Sequence, residues 1–197
     1  MPKLMQGLIL VFAGGAIALA FTLRAAPGLP AAAHQAPLTE PVFSKDGQLQ
    51  RPGNYRNWRF VTSGLGMSYG PTAKAAALTG KIMFDNVFVQ PQAYDAFLRD
   101  GAWPEGTMFV LEIRSSDSQR PPSNKGYFQS DVRALEVSVK DSARFKGRWA
   151  YFDFGKEATS TSAQPQSSCF ECHEQHTAVD MTFVQFYPTL QQVKYAQ

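Results

Sequence analysis

The pattern of hydrophobic and polar positions predicts a domain built mainly from β-strands. Apolar and polar residues alternate over 126–139, as in a strand that buries one of its faces. Residues 107–114 are apolar on both sides apart from Glu112, which is typical of a strand buried on both faces. The same reasoning predicts three more strands, at 58–62, 82–89 and 148–154. Five strands with few helices indicate an α+β fold with a mainly antiparallel β-sheet.

Helical patterns are short and scattered. Residues 92–99 place their large apolar side chains on one side, and Gly101 follows as a helix stop. Other helical segments are expected at 54–56, at 169–173 and at 180–190 as far as Pro188. Glycine, proline and small polar residues predict connecting segments at 64–80, 115–125 and 157–168.

The N-terminus has the pattern of an export segment. A nearly uninterrupted apolar run occupies residues 4–23, with Lys3 before it and Arg24 after it. Small, turn-forming residues then extend to Ala33 and include an Ala-x-Ala site. This pattern is typical of a signal peptide cleaved near Ala33, and a run of this length can also span a bilayer as an uncleaved anchor. Either alternative places the rest of the chain outside the cytoplasm, in the periplasm.

The chain therefore divides into three predicted parts. Residues 1–33 are the signal peptide or anchor, residues 34–53 are an extended arm rich in alanine and proline, and residues 54–197 form the folded domain. Of the 19 Lys and Arg residues, Lys3 and Arg24 belong to the first part, so 17 remain against 16 acidic residues. This nearly neutral remainder has no basic run or basic-aromatic stripe, so nucleic acid is not an expected partner.

The candidate chemistry lies in Cys169-Phe170-Glu171-Cys172-His173, which contains both cysteines of the chain. The C-x-x-C-H spacing is the attachment pattern of c-type haem, because two thiols so spaced can each add to one vinyl group of a porphyrin. His173 then supplies an axial nitrogen to the iron. Covalent haem attachment is expected outside the bacterial inner membrane, which agrees with the export segment.

Three other interpretations of the motif stay open. A redox dithiol requires a βαβ pattern nearby, which the sequence lacks. A zinc site would add His176, although structural zinc sites usually draw ligands from two separated segments. A plain disulfide is also permitted in an exported protein.

Further strings occur in consistent order along residues 45–193. They are Asn54-Tyr55-Arg56-x-Trp58, Asn86-Val87-Phe88-Val89-x-Pro91, Gly106-Thr107, Gly126-Tyr127-Phe128, Leu135-Glu136-Val137-Ser138-Val139-Lys140-Asp141-Ser142-x-Arg144-Phe145, Trp149-Ala150-Tyr151-Phe152 and Asp180-x-x-Phe183-Val184-Gln185-Phe186-Tyr187-Pro188. Together with the C-x-x-C-H motif near the C-terminus, these strings resemble the cytochrome P-460 family and its relative cytochrome c'-beta. The resemblance implies a mainly antiparallel sheet, a homodimer and one covalent haem c per chain with His173 as proximal ligand. It also implies activities that include hydroxylamine oxidation and the binding of nitric oxide and similar diatomics.

The sequence departs from the resemblance at one informative position. In the hydroxylamine-oxidising members a lysine cross-links to the porphyrin, and the matching position here is Leu111. Leucine has no nucleophilic nitrogen, so the cross-link cannot form there. Its neighbours on the same face, Phe109 and Ile113, are apolar too, which predicts either the wall of a dry haem pocket or ordinary core packing.

Two further sets of residues bear on the chemistry. Glu136 matches a family glutamate credited with proton handling near the haem, although a single glutamate on an alternating strand is commonly solvent-facing. His176 follows His173 by three residues and so cannot reach the opposite side of the haem. The candidates for a methionine sixth ligand are Met67, Met83, Met108 and Met181.

The sequence thus predicts an exported mono-haem c-type cytochrome that binds nitric oxide or a similar small ligand in an apolar pocket. One alternative is a haem oxidoreductase acting on hydroxylamine or a peroxide, and another is a periplasmic electron-transfer cytochrome. The redox partner is not predicted.

Overall fold

The computed structural model describes residues 38–67 and 82–191 of the 197-residue chain. The predicted signal or anchor at 1–33 lies outside the described residues, as do the start of the predicted arm and most of the connecting segment predicted at 64–80. Within the described part of the chain, no helix is long and apolar enough to cross a membrane.

The described elements are mostly strands. They are, in chain order, β1 (Leu49–Gln50), a 3-10 turn (Tyr55–Asn57), β2 (Arg59–Leu65), β3 (Met83–Val89), α1 (Pro91–Asp100), β4 (Met108–Ser118), β5 (Tyr127–Lys140), β6 (Trp149–Asp153), β7 (Ser160–Thr161), a π turn (Gln166–Phe170), α2 (Glu171–His176) and a 3-10 turn (Val184–Phe186).

The central sheet is a five-stranded antiparallel meander in the order β2-β3-β4-β5-β6. All five predicted strands are present, and the prediction of an α+β fold with a mainly antiparallel sheet is confirmed. Helix α1 also matches its prediction and ends at Gly101, which adopts the left-handed conformation that glycine tolerates well.

The hairpin between β4 and β5 is longer than the sequence predicts. The predicted connection at 115–125 begins as strand, because β4 continues to Ser118. Its polar residues are paired across the hairpin, where the hydroxyl oxygens of Ser115 and Ser130 lie 2.9 Å apart. Cross-strand hydrogen bonds therefore satisfy a stretch whose composition alone indicates a loop.

A short part of each of two predicted linkers forms a strand, and the two strands pair with each other. Strand β1 lies within the predicted arm at 34–53, and β7 lies within the predicted connection at 157–168. They form a two-stranded antiparallel sheet in which Leu49 is fully buried.

Each face of the central sheet carries its own hydrophobic cluster, because successive residues of a strand point to opposite faces. Along β4, Phe109 belongs to the first cluster while Met108 and Val110 belong to the second. The first cluster packs against α1 and the C-terminal segment, through residues that include Phe97, Trp103, Trp149, Tyr151, Val184, Tyr187 and Leu190. The second includes Leu49, Tyr55, Leu135, Val137, Val139 and Phe152.

The prediction of a helix over 180–190 is wrong. Only Val184–Phe186 forms a 3-10 turn there. Asp180 and Met181 both have positive φ, which interrupts helical backbone before it starts. The apolar residues that suggested a helix are Val184, Tyr187 and Leu190, and their three-residue spacing lets all three enter the first cluster without one.

Candidate functional site

The C-x-x-C-H motif spans two short helical segments that follow one another. Cys169 lies in the π turn, and Cys172 and His173 lie in α2. Both cysteines are free thiols and are half-buried. Three residues apart on helical backbone, they fall on the same side of the segment, so both sulfurs can reach one group.

His173 is fixed in one orientation by its ring nitrogen Nδ1. That atom lies 2.8 Å from the backbone carbonyl oxygen of Met181. Because a carbonyl oxygen only accepts, Nδ1 carries the proton and Nε2 keeps its lone pair. Burial lowers the pKa of His173, against an opposing effect of the Met181 hydrogen bond, so the imidazole is neutral at neutral pH. A neutral imidazole with one nitrogen held by a carbonyl is the usual form of a metal-ligating histidine.

Aromatic rings enclose the imidazole of His173 on the sheet side and on the C-terminal side. The ring of Tyr151, on β6, has its centroid 4.4 Å away, and that of Phe183 lies at 4.6 Å. Burial raises the pKa of Tyr151, with nearby cysteines and acidic groups adding to the effect, so its phenol is neutral. Its hydroxyl also approaches the Met181 carbonyl at 3.5 Å.

The end of α2 is tied to the segment that follows it. The hydroxyl of Thr177 donates to the His173 carbonyl at 2.6 Å, which closes the last turn. The side chain of Gln185 then bridges back, donating to the His176 carbonyl at 2.8 Å and accepting from the Ala178 amide at 3.0 Å. These bonds hold α2 against the first cluster although α2 is only six residues long.

The predicted pocket residues of β4 lie on the same face of the sheet as His173. Phe109, Leu111 and Ile113 share the alternating face of the first cluster, and Tyr151, which contacts His173, lies on that face too. Phe109 belongs to the hydrophobic core, since it is buried against Trp103, Trp149 and Tyr187. Leu111 and Ile113 are only half-buried, which leaves their side chains available to a ligand group.

Glu136 lies beside Leu111 on this face. The two residues are register partners on β5 and β4. Burial raises the pKa of Glu136, and Asp153 on β6 and Asp85 on β3 raise it further. Burial likewise raises the pKa of the Cys169 thiol, with the charge of Glu136 contributing, so Glu136 lies close enough to the motif to influence it electrostatically. Glu136 is half-buried rather than fully solvent-facing.

Several other predicted candidates lie away from this arrangement. His176 is exposed at the end of α2. Met108 lies in the second cluster, on the opposite face of the sheet from His173, so it is not placed to be a sixth ligand. Among the described residues, no group of three or more His, Cys, Asp or Glu side chains is arranged to hold a metal ion.

Two surface cavities of the described residues differ in position, and one of them adjoins the motif. The larger, of about 570 Å³, lies on the second-cluster side and is lined by residues that include Arg51, Tyr55, Arg56 and Lys156. The smaller, of about 180 Å³, adjoins Phe170 and Tyr151. Beside it, a Cβ on Gly147 would lie 2.3 Å from the ring of Phe170, so the absence of a side chain at Gly147 makes room for a residue of the motif.

Three contributors to the site were not found from the sequence. They are the side chains of Tyr151 and Phe183 and the backbone carbonyl of Met181. An aromatic contact and a backbone acceptor carry no sequence motif. The available signal was that Tyr151 and Phe183 belong to the strings on which the resemblance rests.

The donors collected here are two free thiols and one neutral imidazole with Nε2 available, a set that fits a covalently held haem. The sequence model of the family described as Cytochrome P460 matches residues 52–184, which contain the whole central sheet and the motif. The chain belongs to the cytochrome P460 family. No curated protein matches the chain. Membership of the cytochrome P460 family implies a haem-binding cytochrome.

Proposed function

We propose that this member of the cytochrome P460 family is an exported mono-haem c-type cytochrome that binds nitric oxide or a similar small neutral ligand. The observation that carries the proposal is the hydrogen bond from His173 Nδ1 to the Met181 carbonyl, 2.8 Å long. It leaves Nε2 as the ligating nitrogen of a half-buried, neutral imidazole.

The residues of the motif have separate roles in this proposal. Cys169 and Cys172 would each form a thioether with one vinyl group of the porphyrin, and His173 would be the axial ligand. A bound haem would supply, through its iron, the position at which a diatomic ligand coordinates. The protein contributes the orientation of His173 and the exclusion of water around it, through Tyr151 and Phe183.

Two apolar side chains on the sheet face support a neutral ligand. Leu111 and Ile113 are apolar and half-buried on the face that His173 shares. They offer neither a charge nor a hydrogen-bond donor to a polar ligand. Leu111 also provides no nitrogen for a cross-link to the porphyrin, which disfavours hydroxylamine oxidation by the route of the cross-linked family members.

A second candidate function is favoured by one observation. Glu136 is a half-buried carboxyl beside Leu111, and burial raises its pKa. A carboxyl that keeps its proton more readily is suited to general acid catalysis. An oxidoreductase acting on hydroxylamine or a peroxide would use Glu136 to move protons. Turnover of either substrate that is lost in the Glu136→Gln variant would favour this candidate over simple ligand binding.

Location outside the cytoplasm is part of the proposal. The apolar run at 4–23 between Lys3 and Arg24 supports export, with residues 1–33 acting as a signal peptide or as an anchor. The test is expression of the full chain in a bacterium that matures c-type cytochromes, followed by fractionation. Recovery of the haem protein from the cytoplasm would contradict export.

The proposed haem attachment is tested by mass spectrometry under denaturing conditions. We expect the purified full chain to carry the added mass of one haem, and the Cys169→Ala/Cys172→Ala variant to lose it. The ferrous protein should then take up nitric oxide with a change in its absorption spectrum. A chain of unmodified mass from a host that matures a control c-type cytochrome would contradict covalent attachment.

A further inference from the structure

The carbonyl that binds His173 belongs to a tight turn with unfavourable backbone geometry. Val179 and Thr182 pair with each other, and the amide of Thr182 donates to the Val179 carbonyl at 2.7 Å. The two residues between them, Asp180 and Met181, have φ of 41° and 62°. Positive φ at both central positions is the pattern of a type I′ turn, which favours glycine, asparagine and aspartate. Methionine rarely adopts this conformation, so other contacts must hold Met181 there.

Asp180 supplies those contacts through both oxygens of its carboxylate. Its Oδ2 lies 2.6 Å from Lys140 Nζ. Its Oδ1 lies 2.9 Å from Arg148 Nη2 and 3.2 Å from Trp149 Nε1. Lys140 also donates to the Trp103 carbonyl at 2.7 Å. The turn is thus attached to the end of β5 and the start of β6 by hydrogen bonds to a carboxylate, which are stronger than those between neutral groups.

The attachment is largely buried. The side chain of Lys140 is 9% exposed and that of Asp180 is 15% exposed. Low exposure protects both groups from screening by salt, so the pair holds a fixed geometry. Arg148, by contrast, is 57% exposed and contributes from the surface.

We propose that Asp180 is a positioning residue for the proximal histidine: its carboxylate, held by Lys140, Arg148 and Trp149, fixes the turn whose Met181 carbonyl accepts the hydrogen bond from His173 Nδ1. A carbonyl that binds Nδ1–H fixes the direction of the ring and raises the basicity of the ligating nitrogen. Asp180 therefore sets the strength of the bond between His173 and the iron without touching either. The inference rests on the proposed function, in which His173 is the axial ligand.

The test compares the full-length haem protein with three variants. Asp180→Asn removes the charge at the centre of the network while keeping the shape of the side chain. Lys140→Met removes one of the side chains that donate to the Asp180 carboxylate. Asp117→Asn is the matched control, because Asp117 also forms an ion pair, with Arg120 at 2.7 Å, but lies at the far end of β4. The readouts are the iron–histidine stretching band in the resonance Raman spectrum and the midpoint potential.

We expect Asp180→Asn to lower the frequency of the iron–histidine band and to raise the midpoint potential, since a less basic imidazole stabilises ferric iron less. Lys140→Met should shift both readouts in the same direction by less. Asp117→Asn should match the wild type.

Two results overturn the inference in distinguishable ways. If Asp180→Asn melts at a lower temperature but keeps the wild-type band and potential, Asp180 only stabilises the fold, and the proposed function stands. If the wild type has no iron–histidine band, or keeps the same band in a His173→Gly variant, the proposed function fails and the inference fails with it.

Should Asp180→Asn carry no haem, the surface variant Arg148→Gln decides: a small shift in the same direction supports the inference, and spectra identical to the wild type overturn it.

Discussion

Glu112 and Glu136 lie on neighbouring strands but face opposite sides of the same sheet. Glu136 is the register partner of Leu111, whereas Glu112 is the register partner of Leu135. Glu112 faces the second cluster, where Tyr55 donates to it and Arg114 pairs with it at 3.0 Å. Burial and the Glu112 hydrogen bond raise the pKa of Tyr55 to about 12. Glu136 faces the side of His173 among acidic neighbours. The two carboxyls therefore respond to pH with opposite signs.

Glu112 is predicted to stabilise the fold at neutral pH and to lose this effect in acid. Burial alone would raise the pKa of Glu112, but hydrogen bonds from Tyr55, Arg114 and Arg56 lower it. A lowered folded-state pKa gives stability that is present above the unfolded pKa and is lost as pH falls through the folded value. Glu112→Gln should reduce the free energy of unfolding at pH 7 by about 1–3 kcal/mol, measured by urea denaturation.

The control for this prediction is Glu157→Gln, because the side chain of Glu157 is 83% exposed. The control should match the wild type at every pH. The difference in the free energy of unfolding between Glu112→Gln and the wild type should shrink below about pH 4, where the wild-type carboxyl takes up its proton. A deficit that is independent of pH would show that the charge of Glu112 is not the cause.

Glu136 is predicted to behave in the opposite way. Burial raises its pKa, with repulsion from Asp153 and Asp85 acting in the same direction. The folded state then favours the protonated form, so the wild type loses stability as pH rises through the unfolded pKa towards the folded value. Glu136→Gln should therefore be more stable than the wild type at pH 7 and equal to it below about pH 4. Urea denaturation across this range is the measurement, and a loss of stability at pH 7 would contradict the acidic environment described for Glu136.

We predict that glycine is required at position 147 so that the ring of Phe170, in the C-x-x-C-H motif, can pack against it. An added Cβ would lie 2.3 Å from the Phe170 ring, so one of the two must move. Gly147→Ala should lower the free energy of unfolding by about 1–3 kcal/mol, as overpacked sites do. Gly53→Ala is the matched control, since a Cβ there meets no atom within 4 Å.

The contact itself is tested by a double-mutant cycle. In a Phe170→Ala background, Gly147→Ala should lower the free energy of unfolding much less than it does in the wild type, because the ring that the added Cβ contacts is absent. Equal costs in both backgrounds would show that Gly147 acts through its backbone rather than through Phe170.

The buried pair of Lys140 and Asp180 is predicted to dominate the electrostatic contribution to stability. Asp180→Ala leaves the Lys140 ammonium buried without its carboxylate, which should cost about 3–5 kcal/mol. Asp117→Ala breaks a more exposed pair and should cost at most about 1 kcal/mol. Thermal or urea unfolding distinguishes the two, and similar small costs for both variants would contradict the burial of the pair.

Much of the fold could be predicted from the sequence because its strands are long and regular. The alternation over 126–139 predicted β5 to within one residue at each end. Periodicity failed where residues are held by contacts distant in sequence. Ser115 is polar yet lies in a strand, because Ser130 across the hairpin forms a hydrogen bond with it. The segment 180–190 has apolar residues at a three-residue spacing, but it starts with the turn at Asp180 and Met181 and then forms only a short 3-10 turn.

For the candidate site, the sequence pointed to the residues of the motif but not to the groups that surround them. The spacing of Cys169, Cys172 and His173 carries a chemical constraint that is local in sequence. The partner of His173 is the carbonyl of Met181, eight residues away, and any residue type could supply it. Phe109 and Leu111 share a face, but only the packing of three aromatic rings on Phe109 assigns it to the core.

We propose His173 as the axial ligand of a c-type haem with an open ligand position. The most direct test is the absorption spectrum of the ferrous protein with and without carbon monoxide. We expect a five-coordinate, high-spin spectrum that changes on addition of carbon monoxide. A six-coordinate, low-spin spectrum that carbon monoxide leaves unchanged would contradict the account and would favour an electron-transfer cytochrome.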